Sequence, residues 1–119
     1  MQIETLQSDQ LARYLDLSTS QIKLTAANMA NIDTPGYKAK GMDFEAEMRQ
    51  AMADNANGED AKPVRVNLTD GLLSRPDGNN VSMDQEGLTL AEAQLKFKTG
   101  VALLHEEYQR VMNAIHADK

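Results

Sequence analysis

Cysteine and tryptophan are both absent, and aromatic residues make up only 4% of the chain. Without cysteine there are no disulfides and no thiolate metal sites, and the chain is indifferent to the redox state of its surroundings. The apolar content falls instead on Leu, Ala, Val and Met, a mix that suits helices packing on helices better than a dense sheet core. No run approaches the ~18 consecutive apolar residues of a membrane span. The start of the chain, residues 1–5, has neither the basic nor the apolar segment of a cleavable secretory signal. Basic residues are few as well: 12 Lys and Arg stand against 18 Asp and Glu, for a net charge of −6. A phosphate-binding surface needs clustered basic side chains, so nucleic acid is not an expected partner. The 119 residues amount to one domain with a thin margin of core.

What the chain does have is heptads. From about residue 5 to residue 33 it reads as one long helix, with Leu11, Leu15, Ser18, Ile22, Thr25, Met29 and Ile32 at alternating spacings of four and three. That is the seam of a coiled coil. Ala26, Ala27 and Ala30 form a second, small-residue surface that another helix can approach closely. From about 82 to 116 the pattern returns more strongly, through Met83, Gly87, Leu90, Gln94, Phe97, Val101, Leu104, Tyr108, Val111 and Ile115. Ser82 with Gln85 three residues on has the spacing of a capping box, and Asp84 and Glu86 fall where the helix dipole favours negative charge.

The layout is therefore mainly α. An N-terminal axial helix (1–33) and a C-terminal axial helix (82–119) pack as a coiled-coil-like pair, parallel or antiparallel, around a variable middle (34–81). The middle holds all three prolines. Residues 54–60 read as a flexible, solvated loop. Phe44, Met48 and Met52 suit one stripe of a short helix, and Val64, Val66 and Leu68 a short strand. A lone helical hairpin seals one stripe of each helix, so the chain is expected to complete its burial against copies or partners.

The hinge after the first helix reads Asn28-Met29-Ala30-Asn31-Ile32-Asp33-Thr34-Pro35-Gly36-Tyr37-Lys38. Thr34, before a proline, is pushed toward extended geometry. Pro35 and Gly36 suit the second and third positions of a type II turn closed by Tyr37. Asn28, Asn31 and Asp33 can cap the helix end or bond nearby backbone. The string Asn-x-x-Asn-x-x-Thr-Pro-Gly-Tyr-Lys at the end of a heptad helix resembles the motif shared by flagellar rod and hook proteins. A second stretch, Asp77-Gly78-Asn79-Asn80-Val81 followed by Met83-Asp84, resembles the segment before the last helix of proximal-rod proteins of the FlgB type. The short chain agrees with that branch. The resemblance covers residues 8–50 and 76–115, and residues 51–75 lie outside it.

The resemblance implies an axial subunit whose terminal helices line the inner layer of a tube in the periplasmic part of the basal body. It implies export, unfolded and without a cleaved signal peptide, through the flagellar type III apparatus. The implied partners are other copies, other rod proteins, the adaptor FliE and the membrane-ring base. Phe44 and Met48 also resemble a short export-gate recognition motif. On this reading Asn28, Asn31, Thr34, Pro35, Gly36 and Tyr37 form the turn, and Leu15, Ile22, Met29, Phe97, Val101, Leu104 and Tyr108 carry the helix packing.

Other chemistry finds little support. His105 and His116 lack the i, i+4 spacing of a helical metal pair. Glu106, Glu107, Asp84 and Glu86 read as solvated helix surface, without the pocket that acid–base chemistry needs. Met42, Met48 and Met52 read as ordinary packing. Gly100 inside the last helix reads either as a kink or as a place where a neighbouring subunit's helix comes close. No catalytic residue, cofactor, metal or small-molecule substrate is expected. The rival readings are another rod-family subunit, a small soluble helical adaptor and, in a different class, a secreted wall-acting enzyme.

Overall fold

The computed structural model describes residues 6–117. The start at 1–5, including Thr5 of the expected helix, and the last two residues of the C-terminal segment lie outside the described residues. The order of elements is α1 (Leu6–Ala30), β1 (Lys40–Gly41), α2 (Phe44–Ala56), β2 (Asn67–Leu68) and α3 (Met83–Ala117). The molecule is a rod of 69 × 27 × 18 Å with a radius of gyration of 18.2 Å, against ~13.5 Å for a compact chain of this length.

α1 is the common surface: α3, α2 and β1 all pack against it. α1 and α3 run antiparallel, since Asn28 meets Glu86 at one end and Leu15 meets Gly100 further along. α1 stops at Ala30, three residues before the expected limit, because the last turn tightens. Asn31 N–H is shared between the carbonyls of Ala27 and Asn28, and Ile32 N–H reaches back only to Met29. α3 starts where Ser82 caps it, its Oγ accepting from Gln85 N–H at 3.3 Å.

The buried positions of α3 are Glu86, Ala93, Gly100 and Glu107. They repeat every seven residues, so α1 lies along one heptad column. It is not the centre of the seam read from the sequence. The column of Leu90, Leu104 and Val111 is half-buried at the edge of the contact, as are Leu15, Ile22 and Met29 on α1. Phe97, Val101 and Tyr108 remain 38%, 46% and 48% exposed. The physical reason is size. Ala93 and Gly100 on α3, with Ser18 and Thr25 buried on α1, let the two backbones come closer than a Leu–Phe seam would. Ala26, Ala27 and Ala30, the small surface read from the sequence, are exposed.

Gly100 is the tightest point of this contact. A Cβ there would lie 2.8 Å from Leu15 Cδ2 and 3.0 Å from Tyr14 Cδ1. The helix that approaches Gly100 is therefore the chain's own α1.

α2 covers the other side of α1. Tyr14 meets Phe44 edge-on with centroids 5.2 Å apart, and Lys96 of α3 places Nζ 4.0 Å above the Phe44 ring. Aromatic and cation–π geometry of this kind ties the three helices at one point. Met42 and Met48 are half-buried and Met52 is exposed. α2 runs on through residues 54–56, which the sequence suggested were loop. Asp54 is buried there and accepts from Gln50 Nε2 at 2.8 Å and Lys62 Nζ at 3.3 Å. The Gln50 amide first, then the Lys62 ammonium, holds the Asp54 carboxyl below its usual range despite burial. Two helical turns back, buried Glu47 accepts from Arg65 Nε at 2.8 Å. These two carboxylates draw the following loop back along α2. The expected strand shrinks to Asn67 and Leu68, because its antiparallel partner, Lys40–Gly41, is equally short.

Replacing Gly100 by Val is expected to lower stability by about 1–3 kcal/mol through overpacking, although it removes the helix penalty of glycine. The loss should be smaller in a Leu15→Ala background. A double-mutant cycle by urea unfolding measures the difference.

Candidate functional site

The segment after α1 has the geometry of a type II turn. Tyr37 N–H donates to the Thr34 carbonyl at 3.2 Å, and Gly36 has φ of +75°. A positive φ at the third position behind proline defines that turn. A Cβ on Gly36 would meet nothing within 4 Å, so the glycine is required by backbone conformation and not by space. Thr34 Oγ1 donates to Asn31 Oδ1 at 3.0 Å, and Asn31 Nδ2 donates to the Ala27 carbonyl at 2.8 Å. The turn is thereby tied to the last turn of α1.

Asn28 lies beneath it, buried. Its Nδ2 donates to the Lys40 carbonyl at 2.7 Å and to Glu86 Oε1 at 2.9 Å. Its Oδ1 accepts from the Tyr37 hydroxyl and from Lys40 N–H, each at 3.0 Å. A carboxamide has two donor hydrogens and two acceptor sites. All four are used, and they join α1, the turn, β1 and α3.

Asn79, fully buried, plays the matching part from the other side. Its Nδ2 donates to the carbonyls of Asn31 at 2.9 Å and Thr34 at 2.8 Å, while its Oδ1 accepts from Val81 N–H at 2.8 Å. Arg75 donates through Nη2 to the Ile32 carbonyl and through Nη1 to the Val81 carbonyl at 3.0 Å. Side chains from the loop before α3 thus bond the carbonyls of Asn31, Ile32 and Thr34 just past the end of α1. Gly36 N–H donates to the Asp77 carbonyl at 2.8 Å, and Ala39 N–H to Asn80 Oδ1 at 2.7 Å. Gly78, at φ +86°, brings the loop so near that a Cβ on it would lie 3.4 Å from Gly36 Cα. The two sequence motifs, some 45 residues apart, form one interlocked unit.

Glu86 closes the unit from α3. It is buried, where the sequence suggested solvated surface, and the same correction holds for Glu107. Burial pushes the Glu86 carboxyl above its ordinary range, against hydrogen bonds from Asn28 and Thr25 that favour the charged form. The N-terminus of α3 also favours negative charge, but by only about 0.3–1 kcal/mol. Removing a carboxylate from water without a cation costs several times that, so burial prevails.

Of the turn residues, Asn28 is buried, Asn31 and Tyr37 are half-buried, and Thr34, Pro35 and Gly36 are exposed. Phe44 and Met48, half-buried at the start of α2, lie apart from this unit. Sequence reasoning did not mark Arg75, Asn79, Lys40 or Glu86 as members of it. Asn79 stands in a string recognisable as a motif, which was the available signal. Nothing local distinguishes Arg75.

Asn28→Ala and Asn79→Ala each strand several buried backbone or side-chain groups. Each should lower stability by about 1–3 kcal/mol, while Thr34→Ala, on the exposed face, should stay within ~0.5 kcal/mol. Urea unfolding of the three variants checks the ranking.

The first half of the interlocked unit, Asn28 to Lys38, lies within a stretch that matches a known family. Residues 17–38 match the family described as flagella basal body rod protein. The flagellar basal body rod protein FlgB of Salmonella typhimurium is 31% identical over 121 residues, covering 85% of this chain and 86% of that protein. FlgB of Cereibacter sphaeroides is 32% identical over 117 residues, covering 90% and 91%. FlgB of Escherichia coli is 26% identical over 121 residues, covering 87% and 88%. With identity above 30% extending over most of both chains, this protein belongs to the FlgB family of flagellar basal body rod proteins.

Proposed function

We propose that the chain is a structural subunit of the proximal rod, exported unfolded through the flagellar type III apparatus and assembled helically, with no catalytic role. The observation that carries this reading is the outward heptad column of α3. Val101, Tyr108 and Ile115 lie on it, all exposed in the single chain. α1 occupies the column of Ala93 and Gly100, with the half-buried column of Leu90, Leu104 and Val111 between, so the chain's own fold leaves this one open. A seam with four–three spacing is matched by another long helix, and long helices are what copies of this chain and other rod proteins offer. The 35 residues of α3 span about 52 Å, which gives such a contact length as well as periodicity.

The turn and the loop docked on it set the angle at which the chain leaves the axial helices. The middle region then presents β2 and the loop after it, with Leu68 and Leu73 exposed, for lateral contacts. The adaptor FliE and the membrane-ring base are proposed as partners at the base of the rod. Phe44 and Met48 are proposed as an export-gate contact; held against Tyr14 and Lys96 in the folded chain, Phe44 is free for recognition while the chain is unfolded. A soluble helical adaptor would account for the heptads, but not for the shared hinge and the likeness to FlgB along the chain. A wall-acting enzyme would need convergent polar groups in a pocket, whereas the polar groups of the interlocked unit are spent on one another.

Val101→Asp and Tyr108→Asp, on the open column, should leave the stability of the isolated chain within ~0.5 kcal/mol and abolish motility when they replace the wild-type chain in its host. Normal swimming with both would overturn the reading of that column. Gly36→Val should cost about 1–2 kcal/mol through its positive φ and impair motility as well. Unfolding of the purified variant separates the two effects.

A further inference from the structure

Among the described residues, four buried carboxylates differ in what neutralises them. Glu47 is bonded to Arg65, Asp54 to Lys62 at 3.3 Å, and Glu107 lies 3.6 Å from Arg110. Glu86 is equally buried, yet the partners on its carboxyl are a carboxamide and a hydroxyl, Asn28 and Thr25. The charged groups of the surrounding segments are exposed or engaged elsewhere, the Lys38 ammonium by the Gly78 carbonyl and the Arg75 guanidinium by the carbonyls of Ile32 and Val81. α1 offers Thr25 and Asn28. The turn offers the Tyr37 hydroxyl, which is engaged by Asn28. β1 offers Lys40, which is exposed and reaches Asn28 through its backbone, not its ammonium group. On α3 itself, Asp84 in the first turn is exposed.

We infer that Glu86 is a protonation latch: the junction of α1, the turn and α3 closes more firmly when this carboxyl carries a proton, and loosens when it is ionised. The protonated group keeps the Asn28 bond, since one oxygen still accepts. It gains a donor, which the Thr25 hydroxyl can accept, and it sheds an unpaired buried charge. The folded chain therefore binds this proton more tightly than the unfolded chain does. The stability it contributes is fully present below the titration of the unfolded carboxyl, and is lost as pH rises through that of the folded one. Asp54 has the opposite sign, its contribution being lost as pH falls through a range below the ordinary carboxylate, so the two effects occupy different windows.

The latch gives the rod reading a means of control, and rests on it for that purpose. A chain that must remain open before export, and fold on the more acidic side of an energised membrane, is served by a junction that tightens on acidification.

The test uses the purified full chain and its Glu86→Gln variant, which keeps the shape and the acceptor without the charge. Thermal unfolding is followed from about pH 8 down to about pH 4, just below the ordinary glutamate value of ~4.3. The variant should melt a few degrees above wild type at the upper end, with the gap closing toward the lower end. A gap that does not change with pH, or a variant less stable than wild type at the upper end, overturns the latch. Should the variant fail to fold, carbon NMR of the Glu86 carboxyl in the wild-type chain decides. Titration above the ordinary glutamate value of ~4.3 supports the latch, and titration at or below it overturns the latch. Failure of the rod reading would show separately, as unimpaired motility in cells lacking the chain.

Discussion

The carboxamide of Asn28 uses every hydrogen-bonding site it has, and those bonds meet four parts of the chain at one buried point. A buried polar group is worth little net when satisfied, but is expensive when any of its partners is withdrawn. The arrangement is therefore conditional. The buried carboxamide is satisfied only if the turn presents Tyr37, β1 presents Lys40 and α3 brings Glu86 in register. Asn79 repeats the logic from the opposite side by bonding the carbonyls of Asn31 and Thr34 just past the end of α1. Specificity of register, more than net stability, is what such a junction supplies.

With that end fixed, the rest of the α1–α3 contact follows from side-chain size. Ala93 and Gly100 face Ser18, Thr25 and Leu15 along a column where bulky residues would hold the helices apart. Close packing of small residues buries little apolar area, so this pair gains less from the hydrophobic effect than a Leu-rich seam would. It also turns the larger residues of α3 away from α1. The same choice that permits the hairpin leaves Val101 and Tyr108 open, and an open heptad column is the natural property of a subunit that finishes its burial in an assembly.

The middle region is held by charge more than by apolar contact. Glu47 and Asp54, two helical turns apart on α2, bind Arg65 and Lys62 of the loop that returns along it. Arg13 of α1 adds a bond to the Lys62 carbonyl at 2.7 Å. Each cation is largely exposed while each carboxylate is buried, so these bonds locate the loop without demanding a core of their own.

The existence of the two long helices was legible in the sequence, because four–three spacing and a Ser82 cap are local signals; their antiparallel direction was not. The turn was equally legible: Thr34, Pro35 and Gly36 constrain their own backbone whatever surrounds them. Their string also carried the family likeness. What the sequence could not provide was anything that depends on two distant segments meeting. Heptad apolarity named Val101 and Tyr108 for the seam, but only the packed pair shows that Gly100 and Ala93 admit α1 on a different column, since close approach depends on both surfaces together. The burial of Glu86, and the capping of Ile32 by Arg75 some 43 residues away, have no local trace for the same reason. Sequence determined the pieces and the conformations each residue imposes on itself; tertiary structure decided which faces meet, because burial and hydrogen-bond satisfaction are properties of pairs.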